Sequence, residues 1–198
     1  DDALRTALRL GESVLIIGEV RGPEAHSLFE AMRIGAAGNV VMGTIHGSSA
    51  YDTWDRVVND LGVPSTSFKA TDVVVTCAAT RKGEGAKRTR KVVEIAEVGK
   101  RWKDEPVFIP LMEYEDEKLT FGDLAGSGLI KSIARSQNMS MDSAMASIKT
   151  RGKIKAFMAG KDLTDVRDVA MAKEEFLRGI GSGYDKVLQG VKAVFGRL

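Results

Sequence analysis

Three short apolar runs, Val14-Leu15-Ile16-Ile17, Val40-Val41-Met42-Gly43-Thr44-Ile45 and Val73-Val74-Val75-Thr76-Cys77, are separated from one another by stretches of helical periodicity. An unbroken run of four to six apolar residues suits a strand covered on both faces of a parallel sheet. Between the first two runs, Pro23 stands at a first helical position. Ala25, Leu28, Phe29 and Met32 then recur at helical spacing, and Gly35 ends the pattern. Between the second and third, Trp54, Val57, Val58 and Leu61 share a face, one of the serines in His46-Gly47-Ser48-Ser49 supplies an N-cap, and Gly62 with Pro64 closes the helix. Strand and helix in alternation predict an α/β layer built on a mostly parallel sheet.

After residue 79 the pattern changes. Lys91–Val98 and Val107–Tyr114 read as antiparallel strands added at the sheet edge, where Pro110 is tolerable. From about residue 122 the chain is helical, with apolar stripes at Met141, Ala144, Met145 and Ile148 and at Val166, Val169, Ala170, Lys173 and Phe176. Five glycines between Gly179 and Gly196 weaken the pattern of the last helix. These changes divide the chain into residues 1–118 and 119–198, the second a helical C-terminal region.

A chain that is 43% hydrophobic and 28% charged buries a sizeable core. Its 29 basic and 27 acidic side chains leave a net charge of +2, too little to attract nucleic acid or anionic lipid by bulk field. The basic stretch Arg81, Lys82, Lys87, Arg88, Arg90 and Lys91 has no interleaved aromatic residue to stack on bases, so no specific nucleic-acid contact is expected. The lone Cys77 excludes an intramolecular disulfide, and its apolar neighbours predict a buried thiol in a reducing cytoplasm. No apolar run approaches the roughly 18 residues needed to span a bilayer. The chain starts without Met, on residues that read as the middle of a helix, so a longer parent is expected.

Chemistry concentrates in the first sixty residues. In an open parallel sheet the carboxyl ends of the strands face the ligand crevice, so Glu19, directly after a buried run, points there. Alone, an acid at this place is an ordinary solvated strand end. As part of a site it resembles a Walker B carboxylate, which helps to hold magnesium or to orient a water. His46 occupies the same place on the next strand. Its turn carries hydroxyls, Thr44 among them, and backbone N–H groups that favour an anion. Arg5, Arg9 and Arg21 bracket the acidic strand and supply guanidinium forks of the kind that bind phosphate. His26 falls on the polar side of its helix and reads as a surface residue.

The strings Leu4-Arg5-Thr6-Ala7-Leu8-Arg9, Val14 to Ala25 and Gly43-Thr44-Ile45-His46-Gly47-Ser48-Ser49-Ala50 resemble the type II and type IV secretion ATPase superfamily. That superfamily drives secretion, pilus assembly and retraction, and the archaeal swimming filament. Trp54 to Pro64 is most similar to archaeal members. The resemblance is strongest from residue 3 to about 98. It implies the second half of a RecA-like P-loop NTPase core, working as a homohexamer with an integral membrane platform protein at the cytoplasmic face of the membrane. It implies ATP and Mg as substrate and cofactor, Glu19 as the catalytic glutamate that positions magnesium and water, and His46 near the terminal phosphate. Arg5, Arg9, Arg21 and Thr44 match the nucleotide-binding side.

One departure is large. The chain contains no Gly-x-x-x-x-Gly-Lys-Ser/Thr, the loop that cradles phosphates. Gly83 to Thr89 has the wrong spacing and follows the wrong strand. In the family that loop precedes the region where this chain begins, so the expectation is an ATPase fragment inactive by itself. The alternative is a non-catalytic scaffold or assembly subunit that keeps the half-fold.

Overall fold

A computed structural model describes Thr6 and residues 14–34, 40–80, 88–115 and 118–196. In chain order the elements are β1 (Val14–Ile17), α1 (Glu24–Ile34), β2 (Val40–Gly43), α2 (Ala50–Asp55), α3 (Ser65–Phe68), β3 (Val73–Thr80), β4 (Thr89–Val98), β5 (Phe108–Glu115), β6 (Lys118–Phe121), α4 (Gly128–Ser136), α5 (Met141–Gly160), α6 (Val166–Gly179) and α7 (Tyr184–Phe195). The chain divides into two compact units, Asp1–Leu129 and Ile130–Leu198.

The first unit is mixed α/β with two sheets. β1 and β2 pair in parallel, Val14 opposite Val40 and Ile17 opposite Gly43, and β3 to β6 form an antiparallel sheet in chain order. The expectation of a mostly parallel sheet is therefore corrected: among the described residues only β1 and β2 are parallel, and the third apolar run lies in the antiparallel sheet, paired with β4. The run misled because Val73, Val74 and Val75 place apolar side chains on both faces and hide the alternation that follows. From Val74 onward inner and outer positions alternate, with Thr76 buried and Val75 and Cys77 outside. The exposed thiol corrects the expectation of a buried one.

The parallel pair is likewise covered on one face rather than two. Leu15, Ile17 and Val41 turn inward, whereas Val14 and Ile16 remain 61% and 67% exposed. On the inner side α1 lies close to β2: a Cβ on Gly43 would sit 2.9 Å from Leu28 Cδ2, so any larger residue here makes the Leu28 side chain shift. The core gathers Ile17 and Val41 from the parallel pair, Leu28 and Phe29 from α1, Trp54 from α2, and Val98 and Phe108 from the antiparallel sheet. Phe68 sits at its centre, stacked on Phe29 at 5.8 Å and edge-on to Phe108 at 6.4 Å. Each side chain of this size, fully buried, contributes about 1.5–3 kcal/mol.

Pro110 does not lie at the edge. β5 runs between β4 and β6, but the proline sits beside the register shift at Ile95/Ala96 and outside the stretch paired with β6, which starts at Met112. Its missing N–H therefore falls where the ladder is already interrupted. α2 begins at the N-cap Ser49, whose side chain accepts from Asp52 N. It runs into a π-helical turn, Arg56–Asp60, and ends at Gly62 with φ +68°, a conformation natural to glycine.

The second unit is helical, its core drawn from Ile154 and Met158 of α5, Ala172 and Phe176 of α6, and Val187 and Val191 of α7. The stripes expected from sequence are partly displaced. In α5 Ala144 is buried but Ile148 is exposed, and the inward row continues through Thr150, Ile154 and Met158. In α6 only Phe176 of the expected stripe is buried; Val166 and Val169 face outward and Ala172 faces in. The inward face of α6 also passes through Asp168 and Glu175, so hydropathy alone points to the wrong side.

An exposed Cys77 has a direct test. In the folded chain it reacts with an aromatic disulfide reagent within about tenfold of the rate in denaturant; a thiol that reacts only after unfolding contradicts this placement.

Candidate functional site

The two parallel strands end together. Beyond the last paired residues, Val20 N donates to Thr44 O at 2.8 Å, and the Thr44 hydroxyl donates to Gly18 O. Glu19 thus lies between two residues tied to Thr44, and His46 follows Thr44 by two positions. The two side chains meet: Glu19 Oε1 accepts from His46 Nε2 at 2.9 Å and from Arg21 Nε at 2.6 Å. Oε2 of Glu19 takes no partner among the described residues. The Glu19 side chain is about one-third exposed and that of His46 mostly exposed, so the group opens to solvent.

Arg21 has the largest influence on the carboxyl's affinity for a proton. Its hydrogen bond is the largest influence holding the Glu19 carboxyl below the usual glutamate range; partial desolvation opposes it, and the charges of Arg21 and His46 add to the lowering. Arg21 is in turn raised by the same contact. Its position is fixed one turn before α1, where Glu24 Oε1 accepts from Arg21 N at 2.7 Å and from Gly22 N at 2.9 Å. Those backbone donors, Arg21 N first, lower the Glu24 carboxyl as well. Glu24 escaped the sequence reading, although an acid just after Pro23 at a helix start is the pattern that signals such a cap.

The turn after His46 differs from expectation in one respect. Its amides are expected to favour an anion, and three of those at the start of α2 already have acceptors within the protein. Ala50 N donates to Glu94 Oε2 at 2.8 Å, Asp52 N to Ser49 Oγ at 3.0 Å and Thr53 N to Ser49 O at 3.0 Å, while Ser48 Oγ donates to Asp52 Oδ2. The reason is that β4 lies against the start of α2 and presents a carboxylate to it. Gly47 lets the turn close: a Cβ there would stand 2.5 Å from Thr53 Oγ1 and 3.2 Å from Thr53 N. Glu94 could not be found from local sequence, being 44 residues from Ala50.

Of the other residues singled out, Arg5 and Arg9 lie outside the described residues, and His26 is exposed, as its helical position predicts. Among the described residues no group of three His, Cys, Asp or Glu side chains is arranged to hold a metal. No helix among them is long and apolar enough to cross a membrane.

Comparison with known proteins gives a consistent picture. A family model described as "Type II/IV secretion system protein" matches residues 1–103. The chain is 30% identical over 137 residues to a Methanocaldococcus jannaschii protein designated MJ1287, covering 67% of this chain and 48% of that protein. It is 41% identical over 58 residues to "Type IV pilus retractation ATPase PilT" of Pseudomonas aeruginosa, covering 29% of this chain and 16% of that protein. A "Twitching motility protein" of Neisseria gonorrhoeae is 40% identical over 58 residues, covering 29% of this chain and 15% of that protein. The chain spans about half the length of the archaeal relative and less of the two bacterial ones.

Replacing Arg21 tests the electrostatics. In Arg21→Ala, carbon-13 NMR of the Glu19 carboxyl shows its titration midpoint rising toward the ordinary glutamate value, because the largest lowering influence is gone. The sign for stability follows: a lowered carboxyl contributes above its unfolded pKa, and that contribution is lost as pH falls through the folded value. An unmoved midpoint means that Arg21 does not control this group.

Proposed function

The chain belongs to the type II/IV secretion system protein family, and from that membership we propose that it is the catalytic-carboxylate half of a RecA-like ATPase motor for secretion or for pilus or archaeal-filament assembly. The observation that carries this reading is the convergence of Glu19, Arg21 and His46 where two parallel strands end, the place where open α/β sheets bind ligands. Residues 1–118 correspond to the second half of the core and 119–198 to a helical accessory region. The motor works as a homohexamer against a membrane platform protein at the cytoplasmic face; the name of one relative, a type IV pilus retraction ATPase, supports the pilus-motor part of this reading.

Arg21 and His46 hold one oxygen of Glu19 and leave Oε2 without a partner among the described residues, and this oxygen is assigned to the reaction. An ionised carboxylate can orient a water for attack on the terminal phosphate; a glutamate is ionised at neutral pH, and the contact with Arg21 favours that form further. The site fits magnesium of the kind held mostly by water and substrate phosphates, for which one carboxylate oxygen is enough; Glu19 Oε2 would hold it directly or through water. When bound, the ion neutralises charge on the triphosphate. His46, mostly exposed, gives its Nε2 hydrogen bond to Glu19 and is assigned a place near the terminal phosphate. Thr44 enters as the clamp between the strand ends, its proton already given to Gly18. Arg5 and Arg9 are assigned to phosphate contact, and the phosphate-cradling loop to an upstream segment of the parent.

This reading predicts that the 198-residue chain alone releases no phosphate from ATP in a colorimetric assay; steady turnover overturns the assignment of the phosphate loop to another segment. In the complete gene product Glu19→Gln lowers kcat by about a hundredfold or more while nucleotide still binds. A near-normal rate removes Glu19 from the mechanism.

A further inference from the structure

We propose that Glu94 is a positioning residue for His46, acting through the backbone N–H of Ala50; the functional part of this inference rests on the reading of the Glu19–His46 group as the catalytic site.

Glu94 belongs to β4, in the antiparallel sheet, and touches neither Glu19 nor His46. Its Oε2 accepts two hydrogen bonds at 2.8 Å, from Thr76 Oγ1 and from Ala50 N. Thr76 stands opposite Glu94 in the β3–β4 register and is buried, so the first bond holds the carboxylate from its own sheet. The second leaves the sheet and ends on the first residue of α2. A helix start presents backbone N–H groups that no residue of the helix can accept from. The N-cap Ser49 takes the Asp52 amide with its side chain, which leaves the Ala50 amide, itself in a buried residue, to find another acceptor. A carboxylate is the strongest acceptor available at that end of a helix.

The consequence for His46 lies in the three residues that separate it from Ala50. Gly47 is pressed against Thr53, Ser48 is bonded to Asp52, and Ser49 caps the same turn. Each link from Ala50 back toward the imidazole is therefore made to the first turn of α2, and the turn moves with that helix. His46 must bring Nε2 to within hydrogen-bonding reach of Glu19; the β1–β2 clamp at Thr44 fixes Glu19 and the chain entering His46, and the first turn of α2 fixes the chain leaving it. The pair meets only if both sides hold. Glu94 is the anchor on the C-terminal side of the histidine, tied to the antiparallel sheet.

Nitrogen-15 NMR of the 198-residue chain tests this without reference to hydrolysis. In Glu94→Ala the Ala50 amide exchanges with solvent about tenfold faster, and the His46 ring resonances move to those seen when its partner is removed in Glu19→Ala. Amides of the β4–β5 ladder keep their exchange rates. Glu94→Gln, which retains an acceptor oxygen, restores both signals to within about threefold of the unaltered chain. His46 resonances unmoved in Glu94→Ala overturn the proposal. If that variant does not fold, unmoved resonances in Thr76→Val, which frees the same carboxylate, overturn it instead. In the complete gene product Glu94→Ala lowers kcat by about tenfold at constant KM, with no further loss when combined with His46→Ala. Moved resonances with unchanged kcat leave Glu94 as the anchor of His46 and overturn the catalytic reading of the site.

Discussion

The parallel register of β1 and β2, prolonged beyond its last paired residues by Thr44, is the constraint on which the rest of the first unit depends. Thr44 accepts from Val20 and donates to Gly18, closing the two strand ends around Glu19. Without that bond the acid and the imidazole would be two exposed side chains on separate connections. With it, they lie within 2.9 Å while the chain between them stays free to form α1. The same register turns Leu15, Ile17 and Val41 toward α1 and lets Leu28 approach Gly43 closely. Site and core are thus two results of one pairing.

The second sheet supports this arrangement through acidic side chains on a single strand. From β4, Glu94 reaches the start of α2, and Glu97 reaches the start of α4, where its Oε1 accepts from Leu129 N at 3.0 Å and its Oε2 from Ser127 Oγ. Glu97 is buried, and burying a carboxylate is unfavourable unless its oxygens are satisfied; the helix start supplies those donors. Between the two acids the strand carries a register shift, at Ile95/Ala96, which bends it and changes the spacing of its side chains relative to β5. An antiparallel strand that would otherwise only extend the core therefore also supplies the acceptors for donors at two helix starts.

Much of this was legible in the sequence where the signal was local. The strands β1 and β2, the helix between them and the one after β2, a serine cap and the Gly62 stop follow from runs, periodicity and single-residue preferences. So does the pairing of Glu19 with His46, because strands of a parallel unit end on the same side. The orientation of β3 was not legible: Val73-Val74-Val75 looks the same in either kind of sheet, and only the partner strand decides. The inward faces of α5 and α6 were missed for a related reason, since Asp168, Glu175 and Thr150 turn inward where Val166, Val169 and Ile148 do not. Glu94 lay beyond reach because its bond spans 44 residues, and nothing near it in sequence announces a helix start.

The exposure of the site decides what kind of control operates there. In water-like surroundings a nearby charge acts weakly on a titrating group, because the solvent screens it. The Glu19 carboxyl is nonetheless held below its ordinary value, and the largest single cause is the hydrogen bond from Arg21. That contact depends on short distances from backbone points: Arg21 held by Glu24 before α1, Glu19 held between Gly18 and Val20, His46 held between Thr44 and the turn that Glu94 braces. Exposed ion pairs add little to folding stability, so this trio is not explained by the stability of the unit. Its members are placed by backbone contacts that converge on one carboxylate oxygen and leave the other without a protein partner among the described residues, an arrangement suited to receiving a group from outside the chain.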